Sequence, residues 1–169
     1  MFFYNLGRMG KMPGSAQEIR YINRDENTHL WLFRNMILEL QKEEPDLFTP
    51  DKIEVYRSML KRGVEEEIAW GQYVLGDRIE GLTMNMVSDY IHYLGNLRAT
   101  SLHFEPLYDG YREQPESMKW VSLYSNANDI KTDFLRPNQP LMPNQVRLKM
   151  IYKKCQLLRF LNSWSFCMI

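Results

Sequence analysis

Two residues stand where a helix normally buries grease. Glu26 and His29 lie in the run Arg24-Asp25-Glu26-Asn27-Thr28-His29. Around them, Ile19 and Ile22 precede and Phe33, Met36 and Leu40 follow. Steps of three and four continue through the gap only if Glu26 and His29 take the next two slots, so a carboxylate and an imidazole are expected on the buried stripe. An unpaired charge there is costly, and a cation between the two would relieve it. One turn apart, the side chains project to the same side and can bind one ion. Carboxylate with imidazole suits iron or manganese better than a soft-ligand metal. A Glu-x-x-His pair pointing into a bundle is half of what a carboxylate-bridged dimetal site requires. From the spacing alone, a buried Glu–His hydrogen bond or a Glu paired with an arginine of a neighbouring helix stays open.

The other reactive side chains read as structural. Asp89 and His92 repeat the spacing, but facing them inward would displace Tyr90 and Ile91, so a solvated helix face is expected. Glu65-Glu66-Glu67 reads as a charged helix surface beside Lys61 and Arg62, with one of the three approaching the core. The aromatics of the helices after Thr49 and after Gly81 read as packing, and His103 as structural. No serine or cysteine nucleophile, phosphate-cradling glycine loop or zinc finger is evident. Gly7-Arg8-Met9-Gly10 lacks the preceding strand that a nucleotide fold needs.

The elements that must position the pair are helical. Met1 to Leu6 reads as an apolar helix end running into a glycine turn. Pro13-Gly14-Ser15 restarts the chain, and Ser15 with Glu18 forms a capping box. That helix runs to about Glu43, before Pro45. Thr49-Pro50 starts the next, with Thr as cap and Pro at the first helical position. Its inner face is Ile53, Tyr56, Leu60, Val64, Ile68 and Gly71, and Gly76 stops it. Gly81-Leu82-Thr83 starts a third, with Val87, Tyr90, Ile91, Leu94 and Leu97 inward. From Pro106 the periodicity fades into extended loop, with a short helical turn near Met118–Tyr124. No strand alternation and no internal repeat appears, so the class is all-α.

Composition bounds the rest. At 169 residues and 44% hydrophobic content, one domain with a real core is attainable. No apolar run is long enough to span a membrane, and no secretory signal is visible. Cys155 and Cys167 have no metal-type spacing, so a reducing, cytoplasmic setting is the default. The zero formal net charge conceals a break. Residues 1–134 hold all 21 acids against 15 bases, a net of −6, whereas residues 135–169 hold 6 bases and no acid.

Several ordered motifs resemble one family. Leu6 to Ser15, Tyr21 to His29, Glu66 to Tyr73, Tyr90 to Arg98 and the run to Lys131-Thr132-Asp133-Phe134 closely resemble the small (beta) subunit of class I ribonucleotide reductase. The resemblance covers residues 1–134. It implies a ferritin-like helical bundle, here incomplete and corresponding to the C-terminal half. It also implies a centre of two iron ions, or manganese and iron. Oxygen reacts at that centre to give an oxidised species, usually a tyrosyl radical, which passes to the large (alpha) subunit for reduction of ribonucleotides. By position, Glu26 and His29 match two metal ligands. Asp25 matches the aspartate that hydrogen-bonds a ligand histidine on the radical-transfer path. The implied partners are the alpha subunit and a second beta subunit, without nucleic acid or membrane. The family's remaining ligands and radical-bearing tyrosine would lie before Met1, so this polypeptide alone is expected to bind the dimetal centre weakly or not at all and to be inactive.

The basic end departs from the family, whose members usually continue with a tyrosine-bearing, acidic tail. Codons read from the third base of each residue can restore such a tail. Met142 ends in G, so its overlap with Pro143 must encode alanine, and Met150 with Ile151 must encode aspartate. Residues 135–169 are therefore expected to be an aberrant, frameshifted and disordered tail. Two rivals stand beside the reductase: another di-iron carboxylate oxidase or desaturase, and a non-catalytic helical interaction fragment in which Glu26 and His29 simply bond each other.

Overall fold

A computed structural model describes residues 1–125 of the protein. The described residues form five α-helices and no strand. These are α1 (Phe2–Arg8), α2 (Pro13–Glu43), α3 (Pro50–Val74), α4 (Met84–Ser101) and α5 (Trp120–Ser125). Short 3-10 turns at Pro45–Phe48 and Glu116–Met118 link them. The expected 135–169 tail lies outside the described residues.

Local chemistry explains most boundaries. Thr49 is extended and Pro50 opens α3, as proline's missing N–H and fixed φ favour. Thr83 caps α4, its hydroxyl oxygen accepting from the Met86 amide. The capping box at Ser15 and Glu18 does not form. Pro13 already provides the first helical position, so α2 starts three residues earlier, behind a left-handed Met12 with φ 47° and no side-chain cap. His103 adopts φ 64° just past α4. There the Phe104 amide reaches the Ala99 carbonyl and the His103 amide reaches that of Thr100, which closes the helix end.

Two apolar clusters hold these helices. The first joins Tyr4 of α1, Val64 of α3, Val87 and Ile91 of α4, and Met118 and Val121 of the last segment, with Ile19 of α2 against it. The second joins Ala99, Leu102, Phe104 and Leu107, with Ile37 of α2 and Ile53, Tyr56 and Leu60 of α3 against it. Between them the helices approach closely. A Cβ on Gly95 of α4 would meet Val64 Cγ2 at 2.7 Å, and one on Gly7 of α1 would meet Ala16 Cβ at 2.6 Å.

Leu97, expected inward, is exposed, and Asn96 is buried instead. The buried row of α4 runs Val87, Ile91, Gly95, Ala99 and Leu102. Two residues past Gly95, a helical position has turned by about 200°, so Leu97 falls off that row. Asn96 is held inward by a loop. Its Oδ1 accepts from the amides of Leu107 (2.8 Å) and Tyr108 (2.9 Å). Its Nδ2 donates to the carbonyls of Tyr108 (2.8 Å) and Tyr111 (3.0 Å).

Candidate metal centre

Helix α2 is anchored at both ends and open in the middle. At 31 residues it runs about 46 Å. Tyr4 and Ile19 hold its first part to α1, while Gln41 donates to the Leu102 carbonyl and Arg34 to that of Ser101 near its end. Between these supports Ile22, Asp25, Asn27, Thr28, His29, Trp31 and Leu32 are all exposed.

The pair sits in that open stretch. His29 Nδ1 and Glu26 Oε2 are 3.4 Å apart, so the one-turn spacing does bring the two groups to one side. The expected dry interior is not there: the His29 side chain is 60% exposed and that of Glu26 41%. The apolar periodicity identifies the face that α2 needs covered, but the described residues provide no cover. Asp25 is also exposed, and its carboxylate accepts from Arg24 Nε at 3.0 Å and from a terminal guanidinium nitrogen at 2.9 Å. It does not meet His29.

Two donors do not make a dimetal site. Among the described residues, no group of three or more His, Cys, Asp or Glu side chains comes together to hold an ion. The residues present fit a fragment of such a centre, and no chemical step can be drawn through it in this chain.

The remaining polar candidates agree with their sequence readings in part. His92 is not on a solvated face. Its ring stacks on Tyr111 at 4.8 Å and meets the Tyr108 edge at 4.6 Å, and Nδ1 lies 2.8 Å from the Ser88 carbonyl oxygen. The loop that Asn96 holds supplies both tyrosines, a contact no local pattern reveals. Glu67 is the member of the acidic run that approaches the core. Burial pushes its carboxyl above the usual range, and the amino group of Met1 opposes this. Tyr56 and Tyr90 pack as expected, but Trp70 and Tyr73 of α3 are exposed, their rings 5.7 Å apart.

Comparison with known proteins decides the family. The sequence profile described as "Ribonucleotide reductase, small chain" matches residues 1–115. The chain belongs to the ribonucleotide reductase small-chain family. It is 69% identical over 134 residues to the ribonucleoside-diphosphate reductase subunit beta of Treponema pallidum, covering 79% of this chain and 38% of that protein. It is 38% identical over 133 residues to the protein of the same name from Halalkalibacterium halodurans, with the same shares covered. The ribonucleotide reductase R2 subunit from Clostridium botulinum superposes with a TM-score of 0.70 at 44% identity, over 73% of this chain and 38% of that one. The fold is thus that of the small-chain family, and the chain spans under half the length of the relatives it matches. The α2 stripe expected to be buried is half-exposed at Glu26 and exposed at His29 within this chain.

Proposed function

We infer that the chain is the C-terminal part of a class I ribonucleoside-diphosphate reductase small subunit. In the intact subunit Glu26 and His29 would ligate one ion of a two-iron or manganese–iron centre. Asp25 would orient a ligand histidine and serve the path by which the oxidising equivalent reaches the alpha subunit. The observation that carries this reading is the 69% identity over 134 residues, together with a carboxylate and an imidazole held 3.4 Å apart on an uncovered helix face. An imidazole ligand needs an acceptor at its outer nitrogen, and an aspartate such as Asp25 has the chemistry to supply it. The 134 aligned residues equal in number those before Leu135, which supports the frameshifted reading of 135–169.

The chain alone is a half-site, inactive without its complement. A second beta subunit and the alpha subunit are its partners in the cytoplasm. No described helix is long and apolar enough to cross a membrane. The test is metal analysis with and without the N-terminal portion of the Treponema pallidum beta subunit. Two ions per complex, lost in Glu26→Ala, with none held by the chain alone, is the expected result. Two tightly held ions on the chain by itself would refute the half-site. A complex whose metal content ignores Glu26→Ala, with only stability altered, would favour the non-catalytic fragment.

A further inference from the structure

Arg98 is a half-buried cation with no carboxylate partner among the described residues. Arg98 lies on α4, one turn before Ser101, whose carbonyl takes the bond from Arg34 of α2. It is largely withdrawn from solvent. Its Nε is sealed from water and has no hydrogen-bond partner, and no carboxylate among the described residues pairs with its guanidinium. The ionisable groups that act on it are the phenols of Tyr90 and Tyr93, whose rings pair at 6.0 Å. Burial lowers its pKa from the usual guanidinium value, and the two phenols raise it.

Other shielded arginine nitrogens differ. Arg57 Nε also lacks a partner, yet its terminal nitrogens bond Glu54 at 2.8 Å and the Pro106 carbonyl at 3.0 Å, so that charge is compensated. Arg20 of α2 shares the predicament: its Nε is buried without a partner, and its charge acts on Tyr4. Tyr4 in turn acts on Tyr90. Arg20 and Arg98 thus act electrostatically on the phenols of Tyr4 and Tyr90.

We propose that Arg98 is an oxyanion receptor, its planar fork reading a carboxylate that the described chain does not supply. A guanidinium withdrawn from water without a counterion is unfavourable, and it is the group best shaped to take a two-oxygen anion through parallel N–H donors. A side-chain carboxylate of a polypeptide and a free phosphate share this chemistry, and the chain's short span against its relatives favours the first.

The test measures urea unfolding of the full chain in chloride, acetate and phosphate at equal ionic strength, for the wild type, Arg98→Met and Arg98→Lys. Phosphate stabilises folded proteins generally, so the Met variant supplies the baseline. At ten times its dissociation constant, the bound anion raises the wild-type folding constant about elevenfold above that baseline. The Lys variant keeps a weaker response, because a point charge replaces the fork. In chloride, Arg98→Met is more stable than wild type, since it removes an uncompensated charge and keeps the stem. A response to acetate as well as phosphate marks the ligand as a side-chain carboxylate, and a response to phosphate alone marks a free phosphate. Equal anion responses in wild type and Arg98→Met would overturn the proposal, as would a Met variant less stable than wild type in chloride. A wild type indifferent to both oxyanions would do the same.

Discussion

Removing the Asn96 side chain should unfasten the loop that follows α4. The asparagine is 3% exposed and makes four hydrogen bonds at 2.8–3.0 Å, all to backbone groups of Leu107, Tyr108 and Tyr111. Asn96→Ala leaves two amides and two carbonyls without partners. The bond to the Leu107 amide is fully buried, so that orphan donor costs about 1–3 kcal/mol. The other three groups are only part-buried, so water can reach them and each loses about 0.5 kcal/mol. The total is about 3 kcal/mol, a large share of a stability of ~5–15 kcal/mol. Urea unfolding followed by far-UV circular dichroism measures it. Amide exchange adds a local signature: Leu107 and Tyr108 should lose protection before the amides in the middle of α3. Asn96→Asp should be worse at neutral pH, because a carboxylate would face the carbonyls of Tyr108 and Tyr111. A loss below about 1 kcal/mol for Asn96→Ala, with Leu107 still protected, would show that the loop is held by its apolar contacts instead.

Three further outcomes follow from the same geometry. Gly95→Ala forces a methyl to within 2.7 Å of Val64 Cγ2. Its overpacking cost of about 1–3 kcal/mol exceeds the ~1 kcal/mol gained in helix propensity, so chemical denaturation should show a net loss, relieved by Val64→Ala. Glu67→Gln should stabilise the chain at neutral pH. Burial raises the wild-type carboxyl above 4.5, so its contribution is complete below 4.5 and is lost as pH rises through the folded value. The two proteins should therefore converge in acid and separate above pH 4.5, and a gap that instead widens toward acid would contradict the assignment. Glu26→Ala and His29→Ala, on an open face, should each change the stability of the isolated chain by no more than about 0.5 kcal/mol by urea titration.

What a single sequence reveals here depends on how local the cause is. Thr49-Pro50 and Thr83 mark helix starts because the residues that satisfy or tolerate the free amides are next to them in the chain. Glu43 before Pro45 ends α2 for the same reason. Ser15 misled because Pro13, two residues earlier, already had the geometry to begin the helix. Asn96 gave no signal at all. A polar residue on a buried row is meaningful only once its partners are known, and those are backbone groups 11 to 15 positions away. Periodicity picks out Glu26 and His29 because it reports the apolar face of a helix, and it misses their exposure because it carries no information about what packs on that face.

The open features of this chain are needs of one kind. Glu26 and His29 offer two donors where a dimetal centre takes more, Arg98 holds a cation where a carboxylate belongs, and Ile22, Trp31 and Leu32 leave apolar surface in water on the same stretch of α2. Each alone has an ordinary explanation, since single exposed apolar residues are common and surface Glu–His pairs are unremarked. Their proximity along α2 gives Glu26, His29, Trp31 and Leu32 a shared setting, since the described helices pin α2 at both ends and leave this stretch open. A segment that satisfied only the apolar residues would leave the arginine uncompensated, and one that brought only carboxylates would leave Trp31 wet. On the proposed reading, a complement meeting both needs would be amphipathic and carry acids on or beside its apolar face, as a ligand-bearing bundle helix does.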